Sequence, residues 1–323
     1  MSMAISGQWA VIDTAHTPVA RVAAKTLRKR LEAVWSGLKA AYCDNASDPG
    51  RVHSLRVATR RALVAMKAFH ALLPRKQRSW FRKQLHRIRR AAGEARDLDV
   101  LTDHLAGTAP VATNRLVAHG TLSCRTDGSK ARSRLVAMLS KQRDVSRQPI
   151  REQYEALLGD DWLGRMEKLL ESLSSGGKKP SCGRYAQQNF KPMVKQFFKI
   201  ADQSIDDSNE IHQLRIEGKQ LRYAMEIFAT VFPIKVRTRC YESLEQLQKM
   251  LGDFTDHCAA AGRFKRLSEN TGALANREFL AQLCHEELLL AHHSRKEFLK
   301  WWTPKRRLKL QRRLGLMLQC RSA

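Results

Sequence analysis

A repeated segment is the feature of this sequence that most constrains its fold. Residues His53–Pro74 read HSLRVATRRALVAMKAFHALLP, and a diverged copy at His212–Pro233 reads HQLRIEGKQLRYAMEIFATVFP. The two copies align without a gap, and the register continues beyond them, so that Gly93 aligns with Gly252. A match of this length indicates a duplicated structural unit, and it predicts a chain built from two related halves.

Each copy is expected to form one long amphipathic helix. At about 100° per residue, the basic residues share one arc and the apolar residues share the opposite arc. The apolar arcs are expected to enter the core. Pro74 and Pro233 are expected to end the two helices at equivalent turns. The basic arcs hold His53, Arg56, Arg60 and Lys67 in the first copy, and His212, Arg215, Lys219 and Arg222 in the second.

The rest of the chain predicts an all-α fold, because no stretch alternates polar and apolar residues over many positions. The run SSGGKKPSCG is rich in Ser and Gly and gives the best boundary between the two halves. The predicted organisation is an N-terminal tail at 1–16, a first helical half at 17–173, a linker at 174–183 and a second helical half at 184–323.

Several helix boundaries can also be predicted. Thr17-Pro18 is expected to start the first helix, with the Thr17 hydroxyl as its cap. Helices are predicted at Lys130–Lys141 and, in one piece, at Gln153–Leu173, and another is suggested around Asn114–Ser123.

Two aligned glycines are expected to mark helix ends. Gly93 is expected to end or bend its helix, with a new helix beginning at Asp97. Asp253 and Asp256, which follow the other glycine, are expected to cap a new helix and to interact with its dipole.

The charge balance points to a polyanionic partner. The chain has 58 Lys and Arg against 31 Asp and Glu, a formal net charge of +27. Such an excess carries a cost in self-repulsion that a fold alone does not require. Polyphosphate, nucleic acid and an anionic membrane are the partners that would explain it, and a merely basic surface is the plain alternative.

The seven cysteines are scattered and include no CxxC pair, which predicts free thiols in a reducing compartment. The N-terminus lacks the pattern of a signal peptide. No apolar run approaches the roughly 20 residues that a membrane-spanning helix needs. We therefore expect a cytoplasmic protein without a transmembrane segment; the sequence does not indicate an oligomeric state.

The repeated motif resembles the CHAD family of histidine-containing α-helical domains. The shared features are the H-x-x-R opening of the helix, Arg60-Arg61 in one copy, K-x-x-R-Y from Lys219 in the other, and Asp48-Pro49 before the first helix. The G-E-x-x-D and G-D-x-x-D runs add to them, and the resemblance extends over roughly residues 18–315. It implies two pseudo-symmetric helical bundles around a basic central cavity or pore that binds inorganic polyphosphate. It also suggests a location on polyphosphate or storage granules.

Binding a chain of phosphates requires many positive hydrogen-bond donors, and arginine offers a planar fork that can hold two phosphate oxygens. The first set of expected polyphosphate contacts is His53, Arg56, Arg60, Arg61, His212, Arg215, Lys219 and Arg222. The second set, for which a merely solvated helix face is an equal alternative, is Lys25, Arg28, Arg82, His86, Arg89, Arg90, Lys191 and Lys195.

The two histidines leave an alternative open. His53 and His212 could be neutral, hydrogen-bonded caps at the helix starts. If they line the anion site instead, their protonation should strengthen binding below about pH 6.5. Tyr223 and Glu226 are expected to be structural, with Glu226 pairing with a neighbouring Arg or Lys.

Enzymatic interpretations are weaker. The sequence has no P-loop, HExxH motif or nucleophile elbow. It also lacks the E-x-E-x-K strand motif of the triphosphate hydrolase domain that is fused to some CHAD proteins. Metal ligation could be drawn from Asp253, Asp256 and His257, or from Cys284 and His285, but capping explains the aspartates better. We therefore expect a binding protein without a catalytic residue, metal or cofactor.

The main alternative is a nucleic-acid-binding protein that uses the same basic surface, and weak nucleic-acid binding could accompany polyphosphate binding. Proteins that read bases carry exposed aromatic side chains among their basic residues. Here Phe69, Phe81 and Phe228 lie on apolar arcs, and only Trp301-Trp302 beside Lys305–Arg307 fits that pattern. An enzyme acting on a phosphoanhydride is the third and least favoured interpretation.

Overall fold

A computed structural model of the chain describes residues 15–43, 48–105, 125–174, 180–203, 207–272 and 274–319. Over this part the all-α prediction is confirmed, and the only extended pairing is an isolated bridge between Pro18 and Ser181. No helix described is long and apolar enough to cross a membrane. The helices are α1 (Val19–Tyr42), α2 (Pro49–Ala68), α3 (Arg75–Leu105), α4 (Arg125–Ser146), α5 (Gln148–Gly159), α6 (Trp162–Ser174), α7 (Cys182–Ala201), α8 (Ser208–Ile227), α9 (Ile234–Asn270), α10 (Leu274–Trp301) and α11 (Pro304–Gln319).

The repeated helices α2 and α8 begin at equivalent residues. The N-caps are Asp48 and Asp207, and each carboxylate accepts a hydrogen bond from the backbone N–H two residues further on. Such caps satisfy N–H groups that have no partner inside the helix. The alternative that His53 and His212 are caps is therefore wrong. Both histidines lie exposed on the helices, beyond the capped ends.

The C-terminal ends of α2 and α8 are also equivalent, but they precede the prolines. The backbone leaves the helical conformation at Phe69 and Phe228, and a single 3₁₀ turn follows each of them. The expectation that Pro74 and Pro233 stop these helices is therefore wrong. The prolines lie just before the next helices, α3 and α9.

An aromatic core holds the ends of α2 and α8 together. The rings of Phe69 and Phe228 meet edge to face with centroids 5.8 Å apart, and Tyr185 of α7 packs against both. The Tyr185 hydroxyl donates to the carbonyl of Ala68 at 2.9 Å. Contact between equivalent residues is the pattern of a two-fold arrangement. The internal duplication itself stays a prediction.

The start of α1 is held by a different contact from the one expected. Pro18 is the N-cap residue, and no side chain caps the helix. Instead the N–H of Val19 donates to the carbonyl of Pro180 at 3.1 Å, and the N–H of Cys182 donates to the carbonyl of Thr17 at 2.9 Å. The residues just before α7 thus support the start of α1, and the capping role of Thr17 is wrong.

The predicted helix Gln153–Leu173 is in fact two helices, α5 and α6. Asp161 breaks them apart with φ 54°, a left-handed conformation that Asp tolerates better than most residues. Its carboxylate then accepts a hydrogen bond from the N–H of Gly164 at 3.0 Å. The predicted helix Lys130–Lys141 lies inside α4, and the one suggested at Asn114–Ser123 falls outside the described residues.

The glycines of the repeat do not end helices. Gly93 lies inside α3 and Gly252 inside α9, so no new helix begins at Asp97. Asp253 and Asp256 lie in the middle of α9 and cannot cap it. A single glycine costs a helix about 1 kcal/mol relative to alanine, which long packed helices absorb.

The described part gives no test of the predicted division into domains. Helix α6 ends at Ser174 and α7 begins at Cys182, while residues 175–179 of the predicted linker and 1–14 of the predicted tail are outside the described residues. The division therefore stays a prediction.

The aromatic core gives a stability prediction. Phe228→Ala should lower the free energy of unfolding by about 3 kcal/mol, because it leaves a cavity between α2, α7 and α8. The measurement is chemical denaturation followed by circular dichroism. Leu158→Ala is the control, since Leu158 is 60% exposed; its effect should stay within about 0.5 kcal/mol. Equal effects of the two changes would contradict a core role for Phe228.

Candidate anion-binding site

The centre of the site is the place where α2 and α8 pack against each other. Arg60 of α2 and Lys219 of α8 are equivalent residues of the repeat, and each lies close enough to feel the other's charge. Burial, together with the charges of Arg215 and Arg60, lowers the pKa of Lys219 to about 7. Removal from water and nearby positive charge both favour the neutral form of a lysine, and both act here.

Helix α3 adds two arginines to this centre. Burial, followed by the charges of Arg96 and Arg60, lowers the pKa of His53. The Arg56 guanidinium donates to the carbonyls of Arg89 and Ala92 at 3.4 and 3.3 Å, which fixes it against α3. We call the resulting group the cationic cluster; its members are His53, Arg56, Arg60, Arg89, Arg96, Arg215, Lys219 and Arg222.

The aligned glycines lie beside the two equivalent arginines of the repeated helices. A Cβ on Gly93 would lie 3.7 Å from Nη1 of Arg56, and a Cβ on Gly252 would lie 3.5 Å from Nη2 of Arg215. Each guanidinium therefore lies in contact with the helix backbone beside a glycine. The G-E-x-x-D and G-D-x-x-D runs thus lie beside the arginines of the H-x-x-R motif, within helices and not at turns.

Two exposed carboxylates at the rim neutralise the cluster only in part. Asp256 contacts Arg215 at 3.2 Å, and its side chain is 68% exposed. Asp97 is bound by Arg263 of α9 at 2.5 Å. Exposed ion pairs of this kind contribute little stability. An incoming anion can therefore replace the carboxylate of Asp256 on Arg215 at low cost.

A buried carboxylate lies beneath the cluster and forms an ion pair with one of the predicted contact residues. Glu226 is fully buried and lies 3.2 Å from Arg61 and 3.5 Å from Arg30 of α1. The Tyr241 hydroxyl donates to Glu226 at 3.1 Å. Glu226 thus pairs with arginines as expected. The guanidinium of Arg61, a predicted contact of the first set, is held by this carboxylate, and its assignment to the anion surface stays a prediction.

Arg222 is held at the edge of the same network. Its guanidinium lies over the rings of Tyr223 and Tyr241, at 5.4 and 5.5 Å, and it pairs with Glu245 at 3.6 Å. The Glu245 side chain is 60% exposed. Arg222 is therefore oriented by aromatic faces while keeping an exposed, exchangeable anionic partner.

Only part of the second set of predicted residues lies next to the cluster. Arg82, His86 and Arg90 continue the basic face of α3, and burial together with the charges of Arg82 and Arg89 lowers the pKa of His86. Arg28 makes two hydrogen bonds to Glu167 of α6, at 2.5 and 2.6 Å, and no contact brings it into the cluster; its assignment to the site stays a prediction.

The remaining predicted residues are not brought into the cluster by any contact. Lys25, Lys191, Lys195 and His212 lie exposed on α1, α7 and α8. Within the described part they make no hydrogen bond or ion pair. Their assignment to the site stays a prediction that depends on a ligand long enough to reach them.

Sequence reasoning missed Arg96 and Arg263. Arg96 had a usable signal, because it follows Arg89 by seven residues and therefore shares its helix face. Arg263 had none, since its partner Asp97 lies on another helix and the pairing depends on how α3 and α9 pack.

Apart from Trp301, which is partly exposed, the aromatic residues considered for base stacking are buried. Phe69, Phe81 and Phe228 are buried, as their apolar arcs predicted. Trp302 is also buried and stacks on Phe298 at 6.3 Å. Among the described residues no group of three His, Cys, Asp or Glu side chains is arranged to hold a metal ion. The chemistry that the cluster can perform is the binding of anions.

The structure is thus an all-α protein whose two repeated helices present a crowded cationic surface. A family model described as the CHAD domain matches residues 25–265, well over half of the chain. The chain therefore belongs to the CHAD domain family, and the resemblance inferred from the repeated motif is confirmed.

Solved structures share this fold. The CHAD domain from the plant Ricinus communis matches with a TM-score of 0.63 at 22% identity, covering 87% of this chain and 94% of that chain. PptA from Streptomyces chartreusis matches with a TM-score of 0.57 at 15% identity, covering 88% and 99%. A comparison with curated protein sequences gave no match.

The buried carboxylate gives a second stability prediction. Glu226→Gln should lower the free energy of unfolding by about 3 kcal/mol, because it leaves the charges of Arg30 and Arg61 without their shared counter-ion. Chemical denaturation is the measurement. Glu245→Gln is the matched control, since its exposed pair with Arg222 should contribute less than about 1 kcal/mol. A Glu226 variant as stable as the control would show that the buried network is dispensable.

Proposed function

We propose that this protein binds inorganic polyphosphate at the cationic cluster and is a binding protein, not an enzyme. The observation that carries the proposal is the approach of Arg60 and Lys219 where α2 and α8 pack together. Burial and the surrounding charge there lower the pKa of a lysine to about 7. A polyanion would relieve this repulsion.

The shape of the cluster suits a linear anion. Helix α2 has 20 residues and a length of about 30 Å, at 1.5 Å per residue. The basic face of α3 extends the same surface through Arg82, His86 and Arg90. Several successive phosphates could therefore be contacted at once. We also propose that the cluster lines the basic central cavity expected for this family. We further propose that the protein associates with polyphosphate or storage granules in the cytoplasm.

Two observations favour polyphosphate over nucleic acid. The cluster contains arginine, lysine and histidine but no exposed aromatic ring on which a base could stack. Membership in the CHAD family also supports polyphosphate, because that is the ligand the family resemblance implies. No cofactor or metal is part of the proposal.

The equivalent arginines give the most direct test. Arg56→Ala with Arg215→Ala should weaken polyphosphate binding about 100-fold, since each loses charge-assisted hydrogen bonds to phosphate. The measurement is fluorescence anisotropy with labelled long-chain polyphosphate at about 0.15 M salt. Arg82→Ala with Arg90→Ala removes the same charge from the edge of the surface and is the matched control. A loss no larger than that of the control would refute the special role of the repeated helices.

Competition separates the two polyanions. Unlabelled polyphosphate should displace the labelled ligand at a lower concentration than DNA or RNA of matched charge does. Both affinities will fall with salt, because each neutralised phosphate releases counterions, so salt dependence alone does not discriminate. Equal or better displacement by nucleic acid would overturn the proposal.

The lowered pKa of Lys219 predicts that binding is coupled to protonation. Bound phosphate favours the charged lysine, so binding takes up a proton whenever Lys219 is neutral in the free protein. Affinity should therefore rise about tenfold as the pH falls from 8 to 6. His53, whose pKa is also lowered, would add to this only at the acid end.

Lys219→Arg is the matched variant for the pH experiment. Arginine stays charged throughout this range, so the rise in affinity should be largely lost, while the titration of polyphosphate itself is the same in both experiments. Charged residues that face Lys219 are Arg60 of α2, Arg215 and Arg222 of α8, and Asp256 of α9. An unchanged pH dependence in the variant would assign the proton to another group.

A further inference from the structure

A second cationic surface lies at the C-terminal end of the described chain, on the outer face of α11. Helix α11 buries Leu310, Leu314 and Met317 against the rest of the protein. Its opposite face is exposed and combines basic and apolar residues within an arc of about 100°. That outer face consists of Lys305, Leu308, Lys309, Arg312 and Leu316, which we call the C-terminal surface.

The basic residues of α11 divide into inner and outer groups. Arg307 donates to the carbonyl of Ala201 at 3.1 Å, and Arg313 donates to the hydroxyl of Ser243 at 3.2 Å, so both are used by the fold. The outer residues Lys305, Lys309 and Arg312 make no hydrogen bond or ion pair to any described residue. The sequence contains no Asp or Glu after residue 297. No ion pair with a described residue therefore neutralises the outer charges.

The apolar residues of this surface are as exposed as its charges. Leu308 is 46% exposed and Leu316 is 55% exposed, although both lie among lysines and arginines. A binding site for a phosphate chain has no use for leucine, because the ligand has no apolar part. These leucines are the feature that polyphosphate binding leaves unexplained.

The last turns of α10 also combine exposed basic and apolar residues. Leu299 is 43% exposed between Lys296 and Lys300, although Lys300 pairs with Glu297 at 2.8 Å. At the junction of the two helices, Arg306 lies over the partly exposed ring of Trp301 at 4.9 Å. Tryptophan, leucine and closely spaced basic residues together are typical of protein surfaces that bind at the headgroup region of a membrane.

We propose that the C-terminal surface binds the face of an anionic lipid bilayer without crossing it. Phospholipid headgroups provide anionic partners for Lys305, Lys309 and Arg312. The adjoining acyl region accepts the side chains of Leu308 and Leu316. Of the polyanions that a basic protein can meet, the anionic bilayer is the one that offers both chemistries in one plane.

The C-terminal surface is separate from the cationic cluster. Helix α11 contacts α9 at Ser243, whereas Arg215 of the cluster contacts α9 at Asp256. These two positions are 13 residues apart and point roughly 140° apart around the helix, at 3.6 residues per turn. Membrane binding therefore does not depend on the proposed polyphosphate site, and the two functions can fail independently.

The experiment is co-sedimentation of the full chain with vesicles of phosphatidylcholine, with and without about one third phosphatidylglycerol, at about 0.15 M salt. The protein should bind the anionic vesicles and not the neutral ones. Leu308→Ser with Leu316→Ser should weaken that binding at least about fivefold, because two apolar contacts are lost while every charge is kept. Polyphosphate affinity should be unchanged in this variant.

Leu158→Ser with Leu163→Ser is the matched control. Leu158 and Leu163 are 60% and 47% exposed on α5 and α6, far along the chain from α11, and their replacement should leave vesicle binding unchanged. Circular dichroism checks that all variants are folded. The Arg56→Ala and Arg215→Ala protein should keep its vesicle binding while losing polyphosphate.

Three results would overturn the inference. They are absence of binding to anionic vesicles, equal binding to neutral vesicles, and anionic binding that does not change when Leu308 and Leu316 are replaced. The last result would mean that the surface acts only as a polycation, with no contact to the apolar part of the bilayer.

Discussion

Repulsion between like charges where α2 and α8 pack together is the constraint on which the rest of the structure depends. Arg60 and Lys219 can approach each other only if strong attractive contacts hold the two helices together. The aromatic contact of Phe69 with Phe228 supplies one of them, at the end of the helices. Glu226 supplies the other, because a fully buried carboxylate attracts arginines from beneath the surface. The cationic cluster thus lies over buried contacts that hold its helices in place, which is the arrangement that a preorganised anion site requires.

The two halves contribute unequally to this support. In the aligned copies Glu226 corresponds to Lys67, which is exposed and donates to Gln220. The buried carboxylate therefore exists on one side only, and it draws Arg61 inward from the first copy. The equivalent arginines Arg56 and Arg215 remain at the surface. Equivalent residues of the two copies therefore lie at the surface, whereas the buried carboxylate below them comes from the second half.

The sequence predicted well what depends on a single helix and less well what depends on packing between helices. The apolar arcs of both copies are buried, and the all-α fold follows from them. Arg61 shows the limit, because a basic residue beside Arg60 has the same pattern whether it faces water or a buried carboxylate. Gly93 and Gly252 show it too: helix propensity favours an interruption, but α3 and α9 are continuous, and each glycine lies beside an arginine of the repeated helices.

The contact of α2 with α8 through equivalent residues has a consequence for the direction in which a ligand can enter. A linear polyphosphate has no polarity, since it reads the same from either end, whereas a nucleic-acid strand has distinct 5′ and 3′ ends. If a near two-fold axis relates the two halves, as the repeat predicts, the proposed site presents nearly the same donors to a chain in either orientation. Both ends of a polyphosphate would therefore be productive starting points for binding, and the unequal parts of the two halves, such as the basic face of α3 and the surroundings of Arg222 and Tyr223, would distinguish one direction from the other.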